Sequence, residues 1–179
     1  MKNYVQIGKK ISYLLRHNPE DLVMDKNGYV ETLSLLKKVG ITQAELDHIV
    51  DTNDKKRLAY NEDKSKIRAS QGHSIKVDVE LKATRPPRVL YHGTSPDNYE
   101  KIIHSKGLDK MNRLHVHLTD SLDVATSVGK RYSKYKKPII LEIDSAAMNT
   151  DGYKFYLSAN GVWLTDNVPL KYIKIKDLW

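Results

Sequence analysis

The sequence predicts an α+β protein made of two lobes, and three observations support this fold class. Residues 1–84 contain three helix-like segments followed by two short extended segments. Residues 85–179 contain several strand-like segments and a few helices, without strict strand–helix alternation. Between them, Pro86 and Pro87 remove backbone donors and fix φ, so the segment 83–88 can continue neither a helix nor an inner strand. We therefore predict lobes at 1–84 and 85–179.

The first helix is predicted over residues 5–15, where apolar side chains recur at helical spacing. Pro19 disfavours helical geometry at the residue before it and therefore ends this helix. Arg16 and His17 then fall on its last turn. A helix dipole favours cations at that end, so a purely structural role for both side chains is a real alternative to a functional one.

Turn and cap signals define the next two helices. Asn27 and Gly28 form a strong turn signal. Thr32 is expected to cap a helix that runs to residue 39, where Gly40 closes it in the left-handed conformation. Residues 42–45 have capping-box spacing and open a third helix.

Two extended segments, 56–60 and 66–70, have the pattern of a hairpin. Three helices followed by a hairpin are typical of a winged-helix lobe. Alternation in the second strand puts Arg68 on the face opposite its apolar residues, and Gly72 allows a bend after it. The alternative is a solvent-exposed edge strand whose arginine has no functional role, and composition alone does not exclude it.

The second lobe opens with a buried-type strand that runs into His92, Gly93 and Thr94. A glycine at the end of a strand lets a ligand approach the backbone closely, with an imidazole and a hydroxyl on either side. Taken alone, a buried core histidine would explain His92 equally well.

The remaining elements follow from caps and alternation. Ser95 and Pro96 start a helix that Gly107 is expected to close. Another helix is expected to start at Thr119 or Asp120 and to stop at Gly129. Further strands are predicted at 115–118, 139–143, 154–157 and 171–175.

The charge balance indicates a polyanionic partner. The formal net charge is +8 and the sequence pI is about 9.4, which favours nucleic acid as the partner. There is no cysteine, and no apolar run approaches the roughly twenty residues that span a bilayer. We therefore expect a cytoplasmic protein that does not act at a membrane.

Several kinds of site are disfavoured by the sequence. His115 and His117 share one face of a strand, but no third ligand of matching specificity accompanies them, so we expect no metal. No glycine loop of the Walker or dinucleotide-binding type is present.

Five blocks in order make the sequence resemble the NAD-dependent RNA (tRNA) 2′-phosphotransferases. The resemblance extends over nearly the whole chain, and its blocks are LLRH at 14–17, IRASQGHS at 67–74, YHGT at 91–94, MNRLHVHL at 111–118 and NGVWL at 160–164. The resemblance implies an N-terminal winged-helix, RNA-binding lobe and a C-terminal NAD-binding lobe of the ADP-ribosyltransferase type. It also implies an RNA substrate with an internal 2′-phosphate and NAD as co-substrate, with no obligate protein partner.

The resemblance also assigns roles to residues. The family's Arg-His-Arg-Arg tetrad corresponds to Arg16, His17, Arg68 and Arg131, the last being expected just after the helix that stops at Gly129; Lys130 and Arg113 stay open as alternatives for that fourth position. On the NAD side it implies His92, Gly93, Thr94, His117 and Asn160.

Two other functions remain open at this point. One is ADP-ribosyl transfer to terminal nucleic-acid phosphates, which would stop after the first of the two chemical steps. The other is a non-catalytic winged-helix nucleic-acid-binding protein. The joint presence of the tetrad and the His-Gly-Thr turn argues against the second, because binding alone needs no NAD site.

Overall fold

The computed structural model describes residues 3–53, 55–133 and 136–176, and its chain divides into two compact units, Met1–Leu81 and Lys82–Trp179. Each unit contains both helices and antiparallel sheet, which confirms the α+β class. Thr84 donates its backbone N–H to the Phe155 carbonyl at 2.8 Å, so this part of the predicted linker pairs within the second unit. None of the described helices is both long and apolar enough to cross a membrane.

The first unit packs three helices on a small antiparallel sheet. Its elements are α1 (Tyr4–Arg16), β1 (Val30–Glu31), α2 (Thr32–Val39), α3 (Gln43–Asp51), β2 (Leu58–Tyr60) and β3 (Lys66–Ala69). The strand order is β1-β3-β2. Ile11 and Leu15 of α1 and Ile67 of β3 are fully buried, so the apolar stripe of α1 packs on the inner face of the sheet.

The caps of the first unit follow the sequence predictions with one exception. The capping box of α3 is present, and Gly40 closes α2 with φ of 73°. Thr32 is not the cap of α2: Glu31 occupies that position, and the Thr32 hydroxyl donates to the Lys64 carbonyl at 2.8 Å. That carbonyl lies in the turn before β3. The Thr32 hydroxyl therefore bonds to a residue distant in sequence and does not cap its own helix.

The second unit contains three small antiparallel sheets. Its elements are β4 (Leu90–Thr94), α4 (Pro96–His104), β5 (Gly107–Asp109), β6 (Val116–Leu118), α5 (Leu122–Ser133), β7 (Ile139–Ile143), α6 (Ser145–Thr150), β8 (Tyr156–Leu157), β9 (Trp163–Thr165), β10 (Asn167–Pro169), a 3₁₀ turn at Leu170–Tyr172 and β11 (Ile173–Ile175). The strand orders are β11-β7-β4, β6-β9-β8 and β10-β5.

Three predicted helix boundaries in this unit are wrong. Gly107 does not close α4 but begins β5, where a Cβ would lie 2.1 Å from the Val168 carbonyl oxygen. Neither Thr119 nor Asp120 caps α5; the Ser121 hydroxyl accepts the N–H of Val124 at 3.3 Å. Gly129 does not stop α5, which continues to Ser133.

Two glycines allow helix α5 to lie directly on strand β4. A Cβ on Gly93 would lie 1.8 Å from the Ala125 carbonyl oxygen, and one on Gly129 would lie 2.8 Å from the Pro138 side chain. Both positions therefore need a residue without a side chain, Gly93 because the backbone of α5 packs against it and Gly129 because the Pro138 ring does. Gly129, predicted to stop the helix, serves this packing, and Gly93 serves it whether or not a ligand also approaches its backbone.

We expect Gly93→Ala to lower the free energy of unfolding by about 3 kcal/mol, because the added methyl forces α5 away from β4. Chemical denaturation followed by circular dichroism measures this. Gly8→Ala is the comparison, since its Cβ meets only a side-chain carbon of Ile49 at 3.2 Å and alanine favours a helix. If Gly93→Ala were as stable as Gly8→Ala, the close approach of α5 would not constrain this position.

Candidate functional site

The end of helix α1 is joined to the segment that follows β3. The backbone N–H of Ser74 donates to the Arg16 carbonyl at 2.9 Å, which satisfies one of the open carbonyls at the helix end. The Ser74 hydroxyl lies 2.9 Å from Nδ1 of His17. The blocks 14–17 and 67–74 therefore meet at two residues that are 57 positions apart in sequence.

Arg68 is presented by β3 on the face opposite the buried Ile67 and Ala69, as the alternation predicts. Its guanidinium carbon lies 4.4 Å from the centre of the Tyr29 ring, a cation–π contact. Its Nη1 donates to the Asn27 carbonyl at 3.3 Å and lies 3.5 Å from a Glu80 carboxylate oxygen. Among the described residues, both polar contacts use Nη1, which leaves the Nε–Nη2 edge for a bidentate acceptor.

His73 precedes Ser74 in the segment after β3 and is 1% exposed. Burial lowers the pKa of His73 to about 4, with further contributions from the positive charges of Arg16, Arg68 and His17. Its Nε2 has no hydrogen-bond partner in the described part of the chain. The imidazole is therefore neutral at pH 7, and the positive potential that opposes its protonation favours an anion at the same place.

In the second unit, His92 and His117 lie on neighbouring strands. Nδ1 of His92 is 3.0 Å from the His117 carbonyl oxygen; since a carbonyl only accepts, Nδ1 carries the proton. Burial lowers the pKa of His92, the hydrogen bond to His117 opposes this, and the Arg113 charge adds to the lowering. His92 is therefore neutral, with the lone pair on Nε2.

Arg113 orients the second of these histidines. Its Nη1 donates to Nδ1 of His117 at 2.9 Å, so the proton of neutral His117 is on Nε2. From the sequence, Arg113 is only an alternative for the fourth position of the tetrad. Its contact with His117 places it on the side of the predicted NAD residues.

The other predicted NAD residues are held by local contacts. Thr94 is 3% exposed, and its carbonyl accepts from the Ser133 hydroxyl of α5 at 3.5 Å. Asn160 lies between β8 and β9, and its Oδ1 accepts from the buried Ser158 hydroxyl at 2.8 Å. Strand β9 pairs with β6, the strand that carries His117.

Arg131 lies on the last turn of α5 rather than after its end, because the helix passes through Gly129. The side chain is exposed, and its Nε donates to the Ser127 carbonyl at 3.4 Å. Since α5 packs on β4, Arg131 belongs to the helix that supports His92, Gly93 and Thr94, which lie within that strand and not in a turn after it. The described residues contain no group of three or more histidine, aspartate or glutamate side chains arranged to hold a metal.

Sequence reasoning missed the residues that hold the Arg68 side chain. Tyr29 follows the Asn27-Gly28 turn directly, so the turn signal marks the position, but no local pattern pairs that ring with β3. Glu80 gave no sequence signal at all. Its contact with Arg68 depends on the path of the chain after residue 74.

Comparison with known proteins points to one family. The family described as "RNA 2'-phosphotransferase, Tpt1 / KptA family" matches residues 2–167. A "Probable RNA 2'-phosphotransferase" from Fusobacterium nucleatum is 50% identical over 97% of this chain and 99% of its own length. Proteins with the same description from Flavobacterium johnsoniae and Streptomyces coelicolor are 50% and 45% identical, each over 95% of this chain and over 95% and 94% of their own lengths.

The low pKa of His73 predicts a pH-dependent stability. The unfolded chain takes up a proton near the ordinary histidine pKa of about 6.5, whereas the folded chain does so only near 4. The contribution of His73 is therefore complete above pH 6.5 and is lost as pH falls toward 4, by about 2 kcal/mol between pH 7 and pH 5.

Urea denaturation of the wild type and of His73→Gln at both pH values checks this. The glutamine variant should lose less stability on acidification than the wild type, whatever its stability at pH 7. His104→Gln, at an exposed position, should behave as the wild type. Equal pH dependence in the wild type and His73→Gln would contradict a buried neutral His73.

Proposed function

The chain belongs to the RNA 2′-phosphotransferase family, Tpt1 / KptA, and from this membership we propose that it transfers an internal RNA 2′-phosphate to NAD. The products would be nicotinamide, RNA with a 2′-hydroxyl and ADP-ribose 1″,2″-cyclic phosphate. The observation that carries the proposal is the contact of Arg16 and His17, at the end of α1, with Ser74 in the segment that follows the strand of Arg68. In the same segment, burial and the charges of Arg16, Arg68 and His17 keep His73 neutral.

The reaction has two steps. In the first, an oxygen of the 2′-phosphate attacks the anomeric carbon of the nicotinamide ribose, the carbon–nitrogen bond breaks, and nicotinamide leaves with the bonding electrons. In the second, the ribose 2″-hydroxyl attacks phosphorus and the bond to the RNA 2′-oxygen breaks. The proton of that hydroxyl ends on the RNA 2′-oxygen, and His17 is the group we assign to relay it.

The first unit would supply the phosphate-binding groups. A phosphate dianion needs to be oriented in line with the departing nicotinamide, and arginine forks hold its oxygens in fixed geometry. Charge that builds up on the phosphoryl oxygens in the second step is stabilised by the same cations. Lysine would attract the phosphate but orient it less well.

The contacts of Arg68 support this role. The Tyr29 ring and the Asn27 carbonyl set the plane of the guanidinium, and neither neutralises its charge. The exposed Glu80 carboxylate at 3.5 Å from Nη1 is a single weak anionic contact, which a dianion that binds two arginines would displace. Arg68 is thus positioned mainly by uncharged groups, and its positive charge is available to attract an anionic ligand.

The second unit would bind NAD through His92, Gly93, Thr94, His117 and Asn160, with Arg131 as the fourth tetrad member. Neutral His92 and His117, each with a defined proton position, can recognise the hydroxyl and amide groups of NAD. For Gly93 the structural reason is contact with α5, so its contribution would be through the backbone. We further propose the winged-helix and ADP-ribosyltransferase-like architectures for the two units, and a cytoplasmic location.

Incubation with NAD and an oligoribonucleotide carrying one internal 2′-phosphate tests the function. Mass spectrometry should detect ADP-ribose cyclic phosphate and the dephosphorylated strand in equal amounts. Absence of both products would overturn the proposal. Accumulation of ADP-ribosylated ends from 5′- or 3′-phosphorylated strands, without cyclic phosphate, would indicate the one-step transferase instead.

We expect Arg68→Ala to lower kcat by at least about 10³-fold, because it removes a charge contact made to the reacting phosphate. NAD affinity should change less than about threefold, since Arg68 is assigned to the phosphate rather than to NAD. Arg68→Lys should be intermediate because it keeps the charge but loses the fork.

Steady-state kinetics and calorimetric NAD titration make these measurements. Arg85→Ala, at an exposed position in the predicted linker, is the control for a lost surface arginine. Loss of NAD affinity with an unchanged rate at saturating NAD would show that Arg68 does not serve the phosphate.

A further inference from the structure

A groove runs along one face of helix α1 within the first unit. It has a volume of about 690 Å³ and lies between α1, the end of α3 and the segment before β2. The α1 side chains that line it recur every three or four residues from the first turn to the last. The groove therefore follows the whole helix, about 20 Å, and its lining includes Arg16 and His17.

The groove is lined by basic side chains. Lys9, Arg16 and Arg57 contribute three permanent positive charges, and none of the described lining residues is acidic. Lys9 and Arg57 make no ion pair within the described residues, whereas other cations of the unit, such as Lys66, pair with carboxylates. Positive charges without carboxylates in a concave surface attract a polyanion.

The groove also offers an exposed aromatic ring next to the predicted phosphate site. The side chain of Tyr13 is 54% exposed, and its ring centre lies 5.6 Å from that of His17. Proteins that bind single-stranded nucleic acid combine such a ring, on which a base stacks, with a basic path for the backbone. A duplex cannot use the ring in this way, because its bases are already stacked on each other.

We infer that the groove binds the single-stranded RNA that flanks the 2′-phosphorylated nucleotide. Lys9 and Arg57 contact flanking phosphates, and a neighbouring base stacks on Tyr13, while the 2′-phosphate lies at Arg16 and His17. This inference rests on the proposed function for the identity of the ligand. It adds a binding track outside the predicted tetrad and NAD residues, and it makes the enzyme sensitive to nucleotides beside the reacting one.

The test compares a 2′-phosphorylated dinucleotide with a longer single strand that carries the same internal 2′-phosphate. For the wild type, the longer strand should have the lower KM. Lys9→Gln combined with Arg57→Gln should remove most of this advantage, with kcat affected much less than KM. The slope of log affinity against log salt, from fluorescence anisotropy without NAD, should fall by about 1.4 for two lost phosphate contacts.

The tyrosine is tested separately. Tyr13→Leu should raise the KM of the longer strand about tenfold, as expected for one lost stacking contact. Tyr13→Phe should restore it, because it keeps the aromatic face. If Tyr13 acted only in the fold, Tyr13→Leu would raise the KM of the dinucleotide as much as the KM of the longer strand.

Lys10→Gln combined with Lys37→Gln is the matched control. Both lysines are exposed in the same unit, Lys10 is adjacent to Lys9 on α1, and neither lines the groove. This variant should bind and react as the wild type, and circular dichroism should show equal folding of both double variants.

The outcomes separate the two proposals. If the wild type turns over RNA and the groove variants match the control, the groove assignment is wrong. If RNA binding depends on the groove but no cyclic phosphate forms, the groove is supported and the proposed function fails. Poly-glutamate that competes as strongly as single-stranded RNA would show a general polyanion surface and would overturn the assignment.

Discussion

The hydrogen bond from the Ser74 amide to the Arg16 carbonyl is the contact on which the candidate site of the first unit depends. Helix α1 must end at this point, because Pro19 prevents its continuation, and its last carbonyls need donors. The bend at Gly72, with φ of 87°, brings those donors from the segment after β3. Satisfying a helix end thus brings two parts of the sequence that carry the predicted phosphate-binding side chains together.

The candidate site contains several positive charges, and most of the groups that surround Arg68 are uncharged. Arg68 rests on the Tyr29 ring and a backbone carbonyl, and the carboxylate near it among the described residues is that of the exposed Glu80. His73 is kept neutral by burial and by these charges, so it adds no further repulsion. A dianion that binds there reduces the repulsion among the positive side chains and also accepts hydrogen bonds from them. Both effects favour an anionic ligand.

In the second unit, glycines that the sequence suggested were functional or helix-ending residues are required for packing. Gly93 lacks a side chain because the backbone of α5 lies directly against it, and a side chain on Gly129 would meet the Pro138 ring. This packing fixes the strand that carries His92, whose ring then reaches the carbonyl of His117 on the next sheet. The same glycine can therefore be required by the fold and lie within a functional motif, and only the structure separates the two reasons.

The sequence by itself determined the elements whose signals are local: α1 and its end, the capping box of α3, the turn at Gly28, the strand alternation that turns Arg68 outward and the α+β class. It also determined the family, because five ordered blocks are distributed between residues 14 and 164. Only the tertiary structure decided which partner Thr32 takes, that α5 continues through Gly129, and that Tyr29, Asn27 and Glu80 surround Arg68. Those contacts join residues far apart in sequence, and no local propensity encodes them, because their energies depend on how the chain packs rather than on neighbouring residues.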